Sequence, residues 1–162
     1  MVDAYLSNVK FLVVEDNQFM QSVIRRVLSS LGARDIRVCP NGADALKVLE
    51  EFSADIVITD WAMEPLDGIE LTRNIRTAPE SLDPYVPIIM LTSYSEMIRI
   101  VEARDAGVTE FVVKPISVSV LFSRIQAVIE RPRSFIRTKD FFGPDRRRKE
   151  MEFEGPDRRT KS

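Results

Sequence analysis

The chain contains no histidine, only one cysteine and no long hydrophobic run. Without histidine, most zinc centres and most side-chain acid–base catalysis are removed, because both lean on imidazole. With Cys39 alone, an intrachain disulfide and a two-cysteine redox centre are excluded, and the thiol is expected to be a small buried apolar filler. Apolar stretches such as 88–91 are far too short to span a bilayer, and Asp3 and Asn8 interrupt any secretory leader, so a cytoplasmic chain without membrane insertion is expected. At 162 residues, 44% hydrophobic and 30% charged, the chain has material for one well-packed domain rather than two. The chemistry left open is that of carboxylates.

Charge is distributed unevenly. Residues 1–130 carry 12 Lys/Arg against 19 Asp/Glu, a net of −7, whereas residues 131–162 carry 11 against 6, a net of +5. The acidic part alternates short β-branched runs with helical patterns, which predicts an α/β domain over 1–130. Five strands are expected at 10–14, 36–39, 56–59, 88–91 and 111–113. The first, third and fourth are apolar almost throughout, as strands covered by helices on both faces must be. The first helix should start after Asn17, bury Phe19, Val23, Val27, Leu28 and Leu31, and end at Gly32. Further helices fit 43–52, 68–76, 96–106 and 118–129. From 131 onward Arg131-Pro132-Arg133 breaks the helical pattern, and a basic, flexible tail with no core of its own is expected. The tail carries a repeat: Gly143-Pro144-Asp145-Arg146-Arg147 returns as Gly155-Pro156-Asp157-Arg158-Arg159.

In an open α/β sheet, ligands bind outside the carboxyl ends of the strands. Glu15 and Asp16 end the first strand, Asp60 the third, Thr92 the fourth and Lys114 the fifth. Singly, each reads as a solvated loop residue, a helix cap or a surface charge; five at one sheet edge read as a site. Gathered carboxylates repel by about 1–4 kcal/mol per close pair, so the cluster calls for a cation. Oxygen-only ligands open to water favour Mg2+. Asp60 is then the natural nucleophile for a phosphoryl group, with Lys114 supplying a second positive charge.

Four separated stretches, Val13-Val14-Glu15-Asp16-Asn17, Asp60-Trp61-Ala62-Met63 with Asp67-Gly68, Leu91-Thr92-Ser93 and Lys114-Pro115, resemble the receiver domains of two-component response regulators of the CheY-like kind. The resemblance covers about residues 8–130. It implies a five-stranded parallel doubly wound sheet in the order 2-1-3-4-5, with Asp60 as phosphoacceptor and Thr92 and Phe111 as switch residues. It also implies metal binding by Glu15, Asp16, Asp60 and the Ala62 carbonyl, and a cis peptide at Lys114-Pro115. The implied function is a phosphorylation switch and not an enzyme with a turnover of its own. Its partners would be a histidine kinase or histidine phosphotransfer protein, and an output protein such as a flagellar motor switch component or a kinase. The implied readout surface is the fourth helix, fifth strand and fifth helix, with Ile98 and Val101 either on it or in the core. Glu15 stands where aspartate is frequent in the family, Ala62 lacks the amide some members carry, and Glu64-Pro65 displaces the usual proline by one residue. An aspartate-nucleophile phosphatase is the competing class, but such enzymes usually place a second acid where Ala62 stands.

No DNA-binding or catalytic domain is expected from the last 32 residues, and DNA is not an expected partner. The arginine-rich tail is similar to that of the Cle group of CheY-like cyclic di-GMP effectors, which implies a ligand site among Asp145, Arg146, Arg147, Arg148, Asp157, Arg158 and Arg159. Arginine forks grip phosphates and stack on bases, and an aspartate accepts hydrogen bonds from a guanine edge. Phe141, Phe142 and Phe153 either stack on that ligand or dock the tail on the receiver. Two alternatives stand beside it: a structural, autoregulatory segment folded back on the acidic body, and a nucleic-acid contact.

Overall fold

A computed structural model of the chain describes residues 5–146. The elements run β1 (Lys10–Val14), α1 (Gln18–Ser30), β2 (Asp35–Cys39), α2 (Gly42–Leu49), β3 (Ile56–Asp60), α3 (Gly68–Thr77) and β4 (Ile88–Thr92). A 3-10 turn (Glu96–Arg99) then leads into α4 (Ile100–Ala106), β5 (Glu110–Val113), α5 (Val118–Glu130), β6 (Phe135–Arg137) and β7 (Phe142–Pro144). The first five strands form one parallel sheet in the order β2-β1-β3-β4-β5. Reversal of the winding between β1 and β3 leaves a crevice at their carboxyl ends.

The sheet is buried on both faces because its strands alternate between two cores. Phe11, Val13, Ile56, Ile58, Ile89, Leu91 and Val112 meet Ile24 and Leu28 of α1 and Leu121, Ile125 and Val128 of α5. Leu12, Val14, Val57 and Ile88 point the other way, onto Ala45, Leu71 and Ile75 of α2 and α3. Side chains alternate along a strand, so a doubly covered strand reads as a continuous apolar run.

Helix starts follow their capping side chains. Asn17 accepts from the Met20 amide at 2.9 Å, Asp67 and Glu70 form a reciprocal capping box on α3, and Ser117 caps α5. The α1 stripe departs from the expected one: Phe19 is 74% exposed, and Ile24 takes the central core position with Leu28. Steps of four residues advance about 40° around a helix. Phe19, two such steps before Val27, has therefore rotated away from the sheet. The helix expected over 96–106 begins as a 3-10 turn with no buried residue.

The larger difference lies in the tail. Residues 135–144 form an antiparallel hairpin, with Phe135 opposite Pro144 and Arg137 opposite Phe142, in place of a flexible segment starting at 131. Two three-residue strands cannot hold together alone; the receiver surface supplies what they lack. Phe135 and Phe142 pack edge-on against Tyr85 with ring centroids 5.1 and 5.4 Å away. Arg76 lies over Phe135 at 5.0 Å and is itself buried, donating to the carbonyls of Gly107, Pro84 and Val86 at 2.7–3.0 Å. Gly107 adopts φ 112°, and a Cβ there would strike the Arg76 side chain at 2.9 Å, so glycine keeps this seat open. Arg133 reaches Glu110 of β5 at 3.6 Å, and Arg146 pairs with Asp105 of α4.

Candidate functional site

Each of the five residues expected at the sheet edge lies at a strand's carboxyl end. Asp60 and Thr92 are the last residues of β3 and β4, Glu15 and Asp16 follow β1, and Lys114 follows β5. One carboxylate oxygen from each of Glu15, Asp16 and Asp60 lies within 4.8 Å of the others. The Lys114 ammonium sits 2.7 Å from Asp60 Oδ1, which also accepts the Trp61 amide at 2.9 Å. Gly68 makes the floor possible: its amide donates to the Trp61 carbonyl at 2.8 Å, and a Cβ there would lie 2.3 Å from the Asp60 carbonyl. Helix α3 can therefore begin directly beneath the end of β3.

The electrostatics are those of crowded acids. Burial, with Asp60 and Asp16 nearby, raises the Glu15 pKa from 4.5 to about 7, against the opposing Asn17 amide and Lys114. Burial also raises the Asp60 pKa, outweighing the hydrogen bond and charge of Lys114. Burial works against the Lys114 ammonium, but the hydrogen bond and charge of Asp60, with Glu15 and Glu96, override it and its pKa is raised. Glu15 Oε2 accepts from the Asn17 amide, whereas its buried Oε1 has no hydrogen-bond partner. An orphaned carboxylate oxygen facing two other acids, in an oxygen-only donor set, is the arrangement that a hard divalent cation satisfies. The residues present fit Mg2+.

Thr92 is fully buried, and its hydroxyl lies 3.3 Å from both the Ser93 carbonyl and Glu96 Oε1. Phe111 of β5 is half-buried against Trp61 and Met90, and its carbonyl accepts from Arg124 at 3.0 Å. Ala62 is exposed, two residues beyond Asp60. The Lys114-Pro115 peptide is cis, as is Glu64-Pro65. Ile98 and Val101 are both exposed, Ile98 at 87%. Of the tail residues, Asp145 is buried against the hairpin, its amide donating to Ser134 and its carbonyl accepting from Arg133. Arg146 is exposed, paired with Asp105 and stacked over Phe141 at 4.2 Å. Arg147, Arg148, Asp157, Arg158, Arg159 and Phe153 lie outside the described residues.

Sequence reasoning did not single out Glu96, although the spacing Ser93-Tyr94-Ser95-Glu96 is a capping-box signal. It also passed over Arg76 and Tyr85, the seat of the hairpin, which no local pattern marks.

Comparison with known proteins agrees with this geometry. Residues 11–126 match the family model of the response regulator receiver domain. The chain is 35% identical over 124 residues to the chemotaxis protein CheY-3 of Vibrio cholerae, covering 76% of this chain and 94% of that protein. It is 36% identical to the chemotaxis protein CheY of Pseudomonas aeruginosa, covering 75% and 97%. Among solved structures, a putative response regulator from Chloroflexus aurantiacus superposes with a TM-score of 0.70 at 25% identity, over 76% of this chain and 98% of that one. The receiver domain of a Pseudomonas aeruginosa sensor histidine kinase, which has a magnesium ion coordinated in its active-site cleft, gives 0.67 at 33% identity, over 75% and 98%. With its 2-1-3-4-5 sheet and its acidic crevice, the chain belongs to the response regulator receiver domain family.

Proposed function

We propose that this receiver is a cytoplasmic switch in which Asp60 accepts a phosphoryl group from a histidine kinase or histidine phosphotransfer protein. Its output is then binding to another protein, such as a flagellar motor switch component or a kinase. The observation that carries this reading is the convergence of the Glu15, Asp16 and Asp60 carboxylates within 4.8 Å, with Lys114 2.7 Å from Asp60. An Asp60 oxygen forms the new O–P bond as the P–N bond to the donor imidazole breaks, and the leaving ring nitrogen keeps the electron pair. Glu15, Asp16, Asp60 and the Ala62 carbonyl would hold Mg2+, which when bound offsets charge on the transferring group. Lys114 holds the Asp60 carboxylate in place and meets the added charge. Thr92 donates its hydroxyl to the phosphoryl group, and Phe111 turns inward as the loop after β4 moves. The exposed Ile98 and Val101 support a readout surface on α4, β5 and α5.

For the tail we propose a cyclic di-GMP site using Asp145, Arg146, Arg147, Arg148, Asp157, Arg158 and Arg159, on the chemistry of arginine forks with phosphates and bases. A second reading, a structural or autoregulatory segment, is favoured by the docking of the hairpin on Tyr85 and Arg76. Asp145 and Arg146 are engaged in that docking, so a ligand that takes them must compete with Asp105 for Arg146.

Labelling with a small radioactive phosphodonor tests the switch: Asp60→Asn is expected to abolish it with the fold intact, and labelling that persists moves the acceptor elsewhere. Titration of cyclic di-GMP against the full chain and a chain truncated after Arg131 tests the tail. Equal affinity for both, or none for either, eliminates it as the site.

A further inference from the structure

Glu96 does something at the switch that the receiver reading does not assign to it. One of its oxygens, Oε1, accepts the Ser93 amide at 2.8 Å and lies 3.3 Å from the Thr92 hydroxyl, while Ser93 Oγ accepts the Glu96 amide at 3.3 Å. The exchange between Ser93 and Glu96 is an ordinary capping box, for which glutamate and glutamine serve equally. The box does not account for the approach of Glu96 to Thr92, whose hydroxyl lies 3.3 Å from both Glu96 Oε1 and the Ser93 carbonyl. A hydroxyl has one proton, so donation to Glu96 and donation to a phosphoryl oxygen on Asp60 exclude each other. Glu96 is also close enough to act on the pocket electrostatically, contributing to the raised pKa of both Asp60 and Lys114. Among the described residues no lysine or arginine pairs with it.

We propose that Glu96 is a positioning residue that holds the Thr92 hydroxyl and the loop after β4 in the unphosphorylated arrangement and, through its charge, opposes arrival of a phosphoryl group at Asp60. The proposal rests on Asp60 being the phosphoacceptor. Phosphorylation must break the Glu96–Thr92 contact, and the dianion on Asp60 then repels the carboxylate outward. Glu96 opens the 3-10 turn that carries Ile98, and none of that turn is buried, so it can shift without uncovering core. The competition for one proton thus links the pocket to the exposed surface of α4.

The test uses the full chain with Glu96→Gln, which keeps the capping box and removes the charge, and Glu96→Ala, which removes both. With a small anionic phosphodonor at low ionic strength, Glu96→Gln is expected to raise the second-order labelling rate about three- to tenfold, the order of effect of removing one nearby like charge in a water-rich crevice. The gain is expected to shrink in about 0.5 M salt, where the Debye length falls to about 4 Å. The thermal midpoint should stay at the wild-type value. In metal-free, unphosphorylated protein, hydrogen exchange at the Ser93 amide should remain slow in Glu96→Gln and become fast in Glu96→Ala. Labelling of Glu96→Gln at or below the wild-type rate at every salt concentration overturns the proposal, as does slow Ser93 exchange in Glu96→Ala. If these outcomes occur while the wild-type chain labels on Asp60, only the role of Glu96 falls. If the wild-type chain does not label, the phosphoacceptor reading falls and takes this proposal with it.

Discussion

Crowding of acids in the crevice makes the protein without metal sensitive to pH in a direction opposite to that of a typical salt-bridged domain. Glu15 is 1% exposed and its pKa is raised from 4.5 to about 7. A carboxyl held above its unfolded value binds its proton more tightly when folded. The associated stability is therefore fully present below about pH 4.5 and is lost as pH rises through 7. Asp60, also raised by burial, acts with the same sign. Lys114 is raised beyond its ordinary 10.5 and does not titrate in this window. At about 1.4 kcal/mol for each tenfold change in proton affinity, Glu15 alone sets a ceiling of roughly 3 kcal/mol; with the exposed Asp16 marking an open crevice, about half is expected. Urea unfolding in chelator, followed through the single buried Trp61 beside the pocket, should therefore show stability falling by about 1–2 kcal/mol between pH 5.5 and 8. Glu15→Gln, which mimics the protonated side chain, should flatten most of that dependence and be the more stable protein at pH 8. Added Mg2+ should restore stability at pH 8 and bind about tenfold more weakly for each pH unit below 7, because it displaces a proton. A wild-type protein equally stable at both pH values in chelator, or a Glu15→Gln protein with the full wild-type slope, would refute the reasoning.

Two further perturbations address the hairpin and its seat. Phe135→Ala removes the ring that touches Tyr85, Phe142 and Arg76, so amides of residues 135–144 should exchange faster and trypsin should cut sooner at Arg137 and Lys139, with labelling of Asp60 retained; unchanged cleavage would mean that the cluster does not hold the hairpin. Arg76→Met leaves the carbonyls of Pro84, Val86 and Gly107 without their donor and should cost about 3 kcal/mol, lowering the thermal midpoint by roughly 6–12 °C; a loss under about 1 kcal/mol would show that water replaces the guanidinium there.

Much of the site was legible because its residues sit where a regular pattern stops. A parallel strand buried on both faces is apolar until it leaves the sheet, so the first polar residue, Glu15 after Val14 or Lys114 after Val113, marks the crevice. Asn17, Asp67 and Ser117 announced helix starts by the same local logic. The α1 stripe was misjudged at Phe19 because an amphipathic pattern gives a face only to within a few tens of degrees, and the neighbouring helix and sheet choose among the candidates. Glu96 was hidden in a signal that also means an ordinary helix cap. Docking of Phe142 on the receiver was one of two readings open from the sequence, but the hairpin and its seat were not legible: its phenylalanines lie among charges, and the groups that bury them come from a loop at Tyr85 and a helix at Arg76, fifty or more residues earlier.

Strand and helix identity, the order of the five acidic and basic groups along the chain, and the edge of the sheet they must share are set by local periodicity, which each short stretch carries within itself. The distances that turn those groups into a pocket, the proton competition at Thr92 and the folding of part of the tail depend on which surfaces meet. Those are properties of packing between remote segments, and only the assembled structure decides them.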